Sequence, residues 1–218
     1  MKIQSSTENI IFLKGENQYE LASTFMRLQE YYESPKFCGE FPTLEEYMDW
    51  YASAFGNFTY FSDWNGFNVP GDVVREFFAE CPHELLDKEK RLRDLLSEWI
   101  YNDEPFYVIG VHCQDNTIDH EFAHAFFYLD EDYRTEMTGL VNNLSKSFRD
   151  TVTGYLTKEG YHSHVYLDES QAYLATNTMM ETDEMVKSKV PWNDVLELQR
   201  AFHTRYEVYQ KLNEPNEK

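Results

Sequence analysis

The sequence predicts an α+β fold in which helices dominate, and three observations predict it. Most segments repeat their apolar residues every three or four positions, the period of a helix with one buried face. Helix-start chemistry recurs, with Thr43 three residues before Glu46 and Asp115-Asn116-Thr117 ahead of another apolar run. Strand-like density of β-branched and aromatic residues is confined to short runs, foremost residues 10–13 and 106–111.

Taken in order, residues 10–13 read as a short strand ended by Gly15. Residues 17–33 then read as a helix with Leu21, Phe25, Leu28 and Tyr32 on one side. The Thr43/Glu46 capping box opens a second helix, Leu44–Phe55. Residues 58–70, rich in aromatics, Asn and Gly, read as a structured loop whose Trp64-to-Asn68 stretch has the composition to shape a pocket. Pro70 and Asp72 suit the first turn of a helix through Phe78, which Pro82 stops. A charged amphipathic helix is expected over residues 84–101, then a turn at 102–105. Residues 106–111 (FYVIGV) are the strongest strand signal of the chain. A helix over 118–129 follows, and residues 131–158 read as helical, broken or bent near Ser145–Ser147 and at Gly154. Residues 160–166 read as a connector or strand, and 168–179 as a helix. Pro191 stands at the first position of a final helix ending near Leu212.

This organisation predicts one domain of 218 residues. Its parts are a mainly helical N-terminal stretch (1–102), a core (103–180) and a C-terminal helix (181–218). A hydrophobic share of 42% argues for a packed core. No apolar run approaches the roughly 18 residues that a membrane span needs. Residues 1–6 are polar and do not read as a secretory signal. Cys38, Cys81 and Cys113 are odd in number and form no C-x-x-C pair, as expected of reduced thiols in the cytoplasm. The formal charge of -20 repels phosphate backbones and anionic lipid, so neither nucleic acid nor membrane is an expected partner. It favours basic peptides and cations.

The chemistry is concentrated in His120-Glu121-Phe122-Ala123-His124, an H-E-x-x-H pattern in a helical context. Four residues apart on a helix, the two imidazoles share one face and can reach one tetrahedral cation, with Glu121 beside it. A catalytic zinc takes three protein ligands and keeps one position open, so a third ligand must come from elsewhere. The five residues after His124 are Ala-Phe-Phe-Tyr-Leu, which excludes the extended form with a third histidine. A downstream carboxylate remains. Glu169 is the candidate, with Asp168 as fallback or as acceptor for an imidazole N–H. The alternative is that Asp168 and Glu169 only complement a helix dipole. Glu136 and Glu159 are weaker rivals, and Cys113 is a thiol near the motif whose spacing demands nothing. His83, His112 and His203 read as surface or packing residues.

With H-E-x-x-H on one helix and a glutamate on a later one, the sequence resembles a zincin metallopeptidase of the gluzincin type. The long separation between His124 and Glu169 is similar to that of the anthrax lethal factor catalytic domain and longer than in thermolysin. The likeness covers about residues 106–178. It departs from the thermolysin pattern where an acid four residues beyond the glutamate orients a histidine; Tyr173 stands there. The resemblance implies a zincin-like core with a short mixed or antiparallel sheet, Zn2+ as cofactor, and a peptide or protein as substrate. His120, His124 and Glu169 would be ligands and Glu121 the general base. An oxyanion donor would come from residues 160–166, with Tyr161 first and His164 and Tyr166 behind it. The strand at 106–111 would lie along the cleft and pair with extended substrate. Two other expectations stay open: a non-peptide amide hydrolase on the same site, and a zincin-like regulatory or interaction protein that no longer catalyses.

Overall fold

The structure, a computed structural model, describes residues 1–6, 9–112, 117–176 and 192–213. It is mostly helical with one small mixed sheet. The chain divides into two compact units, Met1–Thr117 and Ile118–Lys218.

The first unit holds the sheet. Its strands are β1 (Lys2–Ser6), β2 (Ile10–Lys14), β3 (Gly66–Pro70) and β4 (Tyr107–Val111), in the order β1-β2-β4-β3. β1 and β2 pair antiparallel, β2 and β4 parallel with Ile10 beside Tyr107, and β3 and β4 antiparallel with Gly66 beside Val111. The two strands expected from sequence are therefore the central pair. All five residues of β4 are buried. This overturns the expectation that this strand offers an edge to substrate: its backbone groups are already paired with β2 and β3.

Around the sheet run α1 (Gln18–Glu33), α2 (Leu44–Phe55), α3 (Tyr60–Asp63), α4 (Gly71–Glu80), α5 (Asp87–Leu95) and α6 (Ser97–Ile100). α1 starts where the Asn17 side chain accepts from the Glu20 N–H. Its Phe25 and Leu21 lie against Gly110 of β4 so closely that a Cβ there would sit 2.7 Å from the Phe25 ring. The capping box of α2 forms as expected. α1 also buries charge. Arg27 grips Glu89 through two 2.8 Å contacts, and Glu89 in turn accepts from the Leu86 N–H at the start of α5. Burial pushes the Glu30 carboxyl up to about 7, although Tyr60, Tyr47 and Ser34 hydrogen bond to it.

Three local expectations change here. Residues 58–70 are not a loop but α3 followed by β3, whose Asn68 side chain accepts a 2.5 Å hydrogen bond from the Tyr107 hydroxyl of β4. The helix over 84–101 is two helices with Leu96 between them. Arg75 closes the C-terminal end of α6, donating to the carbonyls of Trp99, Ile100 and Glu104. Residues 1–6 form an edge strand that their polarity did not announce.

The second unit is built from α7 (Thr117–Leu129), α8 (Glu131–Asn143), α9 (Lys146–Glu159), α10 (Tyr166–Thr176) and α11 (Trp192–Asn213), with a 3-10 turn at Ser163–Val165. The break near Ser145 is present, with Ser145 capping α9. Gly154 breaks nothing, because it lies on an open helix face where even a Cβ would meet no neighbour. Gly160 (φ 92°) ends α9, and residues 160–166 are a connector, not a strand. Phe126, Tyr133, Met137, Phe148, Leu174, Phe202 and Tyr206 are buried in this unit. α10 packs on α8, α9 and α11. The cap at residues 115–116, Cys113, residues 177–179 and Pro191 lie outside the described residues. No helix among the described residues is long and apolar enough to cross a membrane.

Candidate metal centre

α7 is held at both ends by its neighbours in the second unit. The Tyr206 hydroxyl of α11 donates to Asp119 at 3.0 Å, and Arg134 of α8 donates to the carbonyls of Phe127 and Tyr128. Phe126 packs between the rings of Tyr133 and Tyr206. The face these contacts leave carries the motif. His120 and His124 stand one turn apart with their rings nearly perpendicular and their Nε2 atoms 3.1 Å from each other.

Glu169, in the first turn of α10, meets both of them. One carboxylate oxygen is 3.6 Å from Nε2 of His120 and the other 3.6 Å from Nε2 of His124. All three residues are buried, and one ligand atom from each falls within 4.8 Å of the others. A tetrahedral zinc with bonds of about 2.0–2.1 Å sets its donor atoms about 3.4 Å apart. The two Nε2 atoms, 3.1 Å apart, are close to that spacing, and the carboxylate turns a different oxygen to each imidazole at 3.6 Å, so it can complete the set through one oxygen or both. Burial of a carboxylate against two imidazoles needs positive charge to offset lost hydration. One Glu169 oxygen is indeed buried without a hydrogen bond. The donor set therefore fits a divalent cation of the zinc class.

Asp168 is not a ligand in this arrangement. Its Oδ1 lies 2.9 Å from Nδ1 of His124, on the far side of the ring from Glu169. The contact is close but not aligned as a hydrogen bond, since Nδ1 has no partner by direction. Oδ1 also accepts from Gln171 Nε2 at 2.9 Å, and Gln171 is fully buried. The electrostatics follow from this crowding of acids. Burial alone would lower the proton affinity of His124, but the charges of Asp168 and Glu169, and less strongly Glu121, outweigh it and push its pKa up to about 10. Glu121, also buried, contributes to the same field through the charge of its carboxylate.

His120 has a different neighbour. The Tyr173 ring packs 4.6 Å from its imidazole, centroid to centroid. Burial and the Glu169 charge hold the Tyr173 hydroxyl well above its usual pKa. That hydroxyl lies 3.2 Å from the hydroxyl of Tyr161, and Tyr155 packs edge-on against the Tyr173 ring. Tyr161 thus joins the centre through Tyr173. His164 sits on the exposed 3-10 turn with Nδ1 2.7 Å from Nδ1 of His162, and burial together with the His162 charge lowers its pKa. It is not one of the three clustered ligands. Tyr166 is turned to Thr157, 2.7 Å away. Glu136 is exposed and paired with Arg205, and Glu159 is exposed on the last turn of α9. His203 packs onto the end of α10 through the Ala175 carbonyl, 2.8 Å from Nδ1.

No family model, curated protein or solved structure matches this chain. Any reading of the site rests on its own residues.

Gln171, Tyr133 and Tyr155 were not singled out from the sequence. Gln171 lies three residues after Asp168, on the same helix face, but carries no motif, and neither do Tyr133 and Tyr155. Tyr173, by contrast, is marked in the sequence by its place four residues after Glu169, on the same helix face.

Proposed function

We propose that this chain is a zinc-dependent metallopeptidase of the gluzincin type, with a zincin-like core. The observation that carries the reading is the buried convergence of His120 Nε2, His124 Nε2 and the two Glu169 carboxylate oxygens, with neighbouring donor atoms 3.1–3.6 Å apart, the range a zinc ion requires of its ligands. Zinc held by these three residues supplies a Lewis acid that acidifies water near neutral pH and polarises a carbonyl.

The remaining work falls to the chain's own side chains. Glu121, beside the ligands but not one of them, takes the proton of the attacking water and returns it to the leaving amine. The bond formed is carbon to water oxygen, and the bond broken is the peptide C–N. Tyr161, supported through its hydroxyl by Tyr173, is the donor proposed for the developing oxyanion. The chain's excess of 20 negative charges favours basic peptides as substrates.

The test pairs metal content with turnover. The purified protein should hold about one zinc per chain, and Glu121→Gln should keep that zinc while peptide hydrolysis falls by at least about 100-fold. A folded wild-type protein that takes up no zinc ends the proposal. So does a Glu121→Gln variant that keeps full activity.

A further inference from the structure

The sequence pattern accounts for the three ligands but not for what holds them. His124 is fixed from behind by a chain of buried polar groups from three helices. Tyr133 of α8 donates its hydroxyl proton to Gln171 Oε1 at 3.0 Å. Gln171 of α10 spends its amide protons in two directions: one on Asp168 Oδ1 at 2.9 Å, the other on the Ala123 carbonyl of α7 at 3.2 Å. Asp168 Oδ1 then faces His124 Nδ1 at 2.9 Å. Tyr133 and Gln171 are both fully buried.

The amide is placed by elimination of its freedom. A buried Gln must satisfy a carbonyl oxygen and two N–H donors. Here all three are met, and the amide's orientation is set by its two acceptor-only neighbours: the Asp168 carboxylate and the Ala123 carbonyl each require an N–H, which leaves Oε1 to accept from Tyr133. An apolar residue would satisfy the packing of this position equally well. It would leave the Asp168 carboxylate without its amide donor, free to rotate away from His124, and it would untie α10 from the Ala123 carbonyl inside the motif.

Resting on the metallopeptidase reading above, we propose that Gln171 is the positioning residue of the metal centre, setting Asp168 against His124 and thereby the metal affinity of the His120–His124–Glu169 triad. Outer partners of ligating histidines typically contribute about 10- to 100-fold in metal affinity. Gln171 acts one bond further out, with Asp168 as its intermediary. Its effect should therefore run through Asp168 and not add to it.

The experiment measures zinc affinity by chelator competition and the visible spectrum of the cobalt-substituted protein. It uses wild type, Gln171→Met, Asp168→Asn and the double variant, with the fold of each followed by circular dichroism. Gln171→Met should weaken zinc by about 10-fold and alter the cobalt bands, and the double variant should bind within about threefold of Asp168→Asn alone. Tyr133→Phe, which removes only the outer hydroxyl, should weaken zinc by a few-fold and serves if Gln171→Met does not fold. Wild-type affinity and an unchanged cobalt spectrum in Gln171→Met, or in Tyr133→Phe if that variant stands in, overturn the proposal. Fully additive losses in the double variant do the same, because they mark Gln171 as structural only. A wild-type protein that binds no zinc is a separate outcome, and it removes the function proposed above together with this role.

Discussion

Removing the metal should make stability fall with rising pH in a defined window. In the metal-free protein the acids around His124 raise its pKa from 6.5 to about 10. Between those values the folded chain keeps a proton that the unfolded chain has released. The stability this provides is complete below 6.5 and is lost as pH climbs through about 10. Each pH unit inside the window costs about 1.4 kcal/mol per proton, so from about pH 8 to 9.5 the loss approaches about 2 kcal/mol. For a chain of this size that lowers Tm by roughly 4–8 °C. With zinc on Nε2 the imidazole is neutral throughout, and this slope disappears. The assay is thermal unfolding by circular dichroism of chelator-treated and zinc-loaded protein across the window. His124→Gln in the metal-free state controls for other groups that titrate nearby. A metal-free Tm that holds level with the zinc-loaded Tm, or gains on it, would refute the electrostatic picture of the site.

Two further perturbations probe the first unit. Glu30, raised from 4.5 to about 7 by burial, stabilises fully only when neutral, so its contribution is lost as pH rises through about 7, on the order of 3 kcal/mol. Glu30→Gln should therefore gain Tm relative to wild type at about pH 8 and little at about pH 4.5; an equal effect at both values contradicts the assignment. Arg27→Met leaves Glu89 buried without its partner, which should cost about 3–5 kcal/mol in urea unfolding. Replacing both residues by apolar ones should recover much of that loss. A single variant within about 1 kcal/mol of wild type would show that Glu89 finds water or a proton instead.

The features legible in the sequence were those encoded by near neighbours. Thr43 and Glu46 cap the helix that they themselves begin, and Ser145 and Gly160 bound α9 through contacts within a few residues. The motif is local in the same sense, since His120 and His124 need only the helix between them. β1 and β3 were not legible, because an edge strand is defined by its partner. β3 pairs with a strand some 40 residues later, and its alternation is blurred by Asn, Gly and Pro. The end of α6 is held by Arg75, some 25 residues upstream, which binds the Trp99 and Ile100 carbonyls, a contact that no local pattern announces. At the site, the histidine pair asks for a third ligand and so draws attention to Glu169, which does lie beside both imidazoles. Gln171 and Tyr133 answer no such question; their roles exist only once α7, α8 and α10 are packed.

The two histidines are supported unequally, and the inequality has an electrostatic reason. Both Nδ1 atoms are buried without an aligned hydrogen bond, but His124 has the Asp168 carboxylate 2.9 Å from its Nδ1, whereas His120 has the Tyr173 ring at its side. The carboxylates of Asp168, Glu169 and Glu121 already bear on His124, enough to hold a proton there to about pH 10. An acid in place of Tyr173 would orient His120 more firmly, but it would add a fourth negative charge to a buried site. That charge would raise the proton affinity of both imidazoles, and protons compete directly with a metal for Nε2. An aromatic ring holds His120 by contact alone and adds no charge, and its hydroxyl remains to steady Tyr161. In the proposed metal centre, the ring at this position limits the proton's advantage over a cation, and His124, with the Asp168 carboxylate behind it, would be the more firmly oriented ligand.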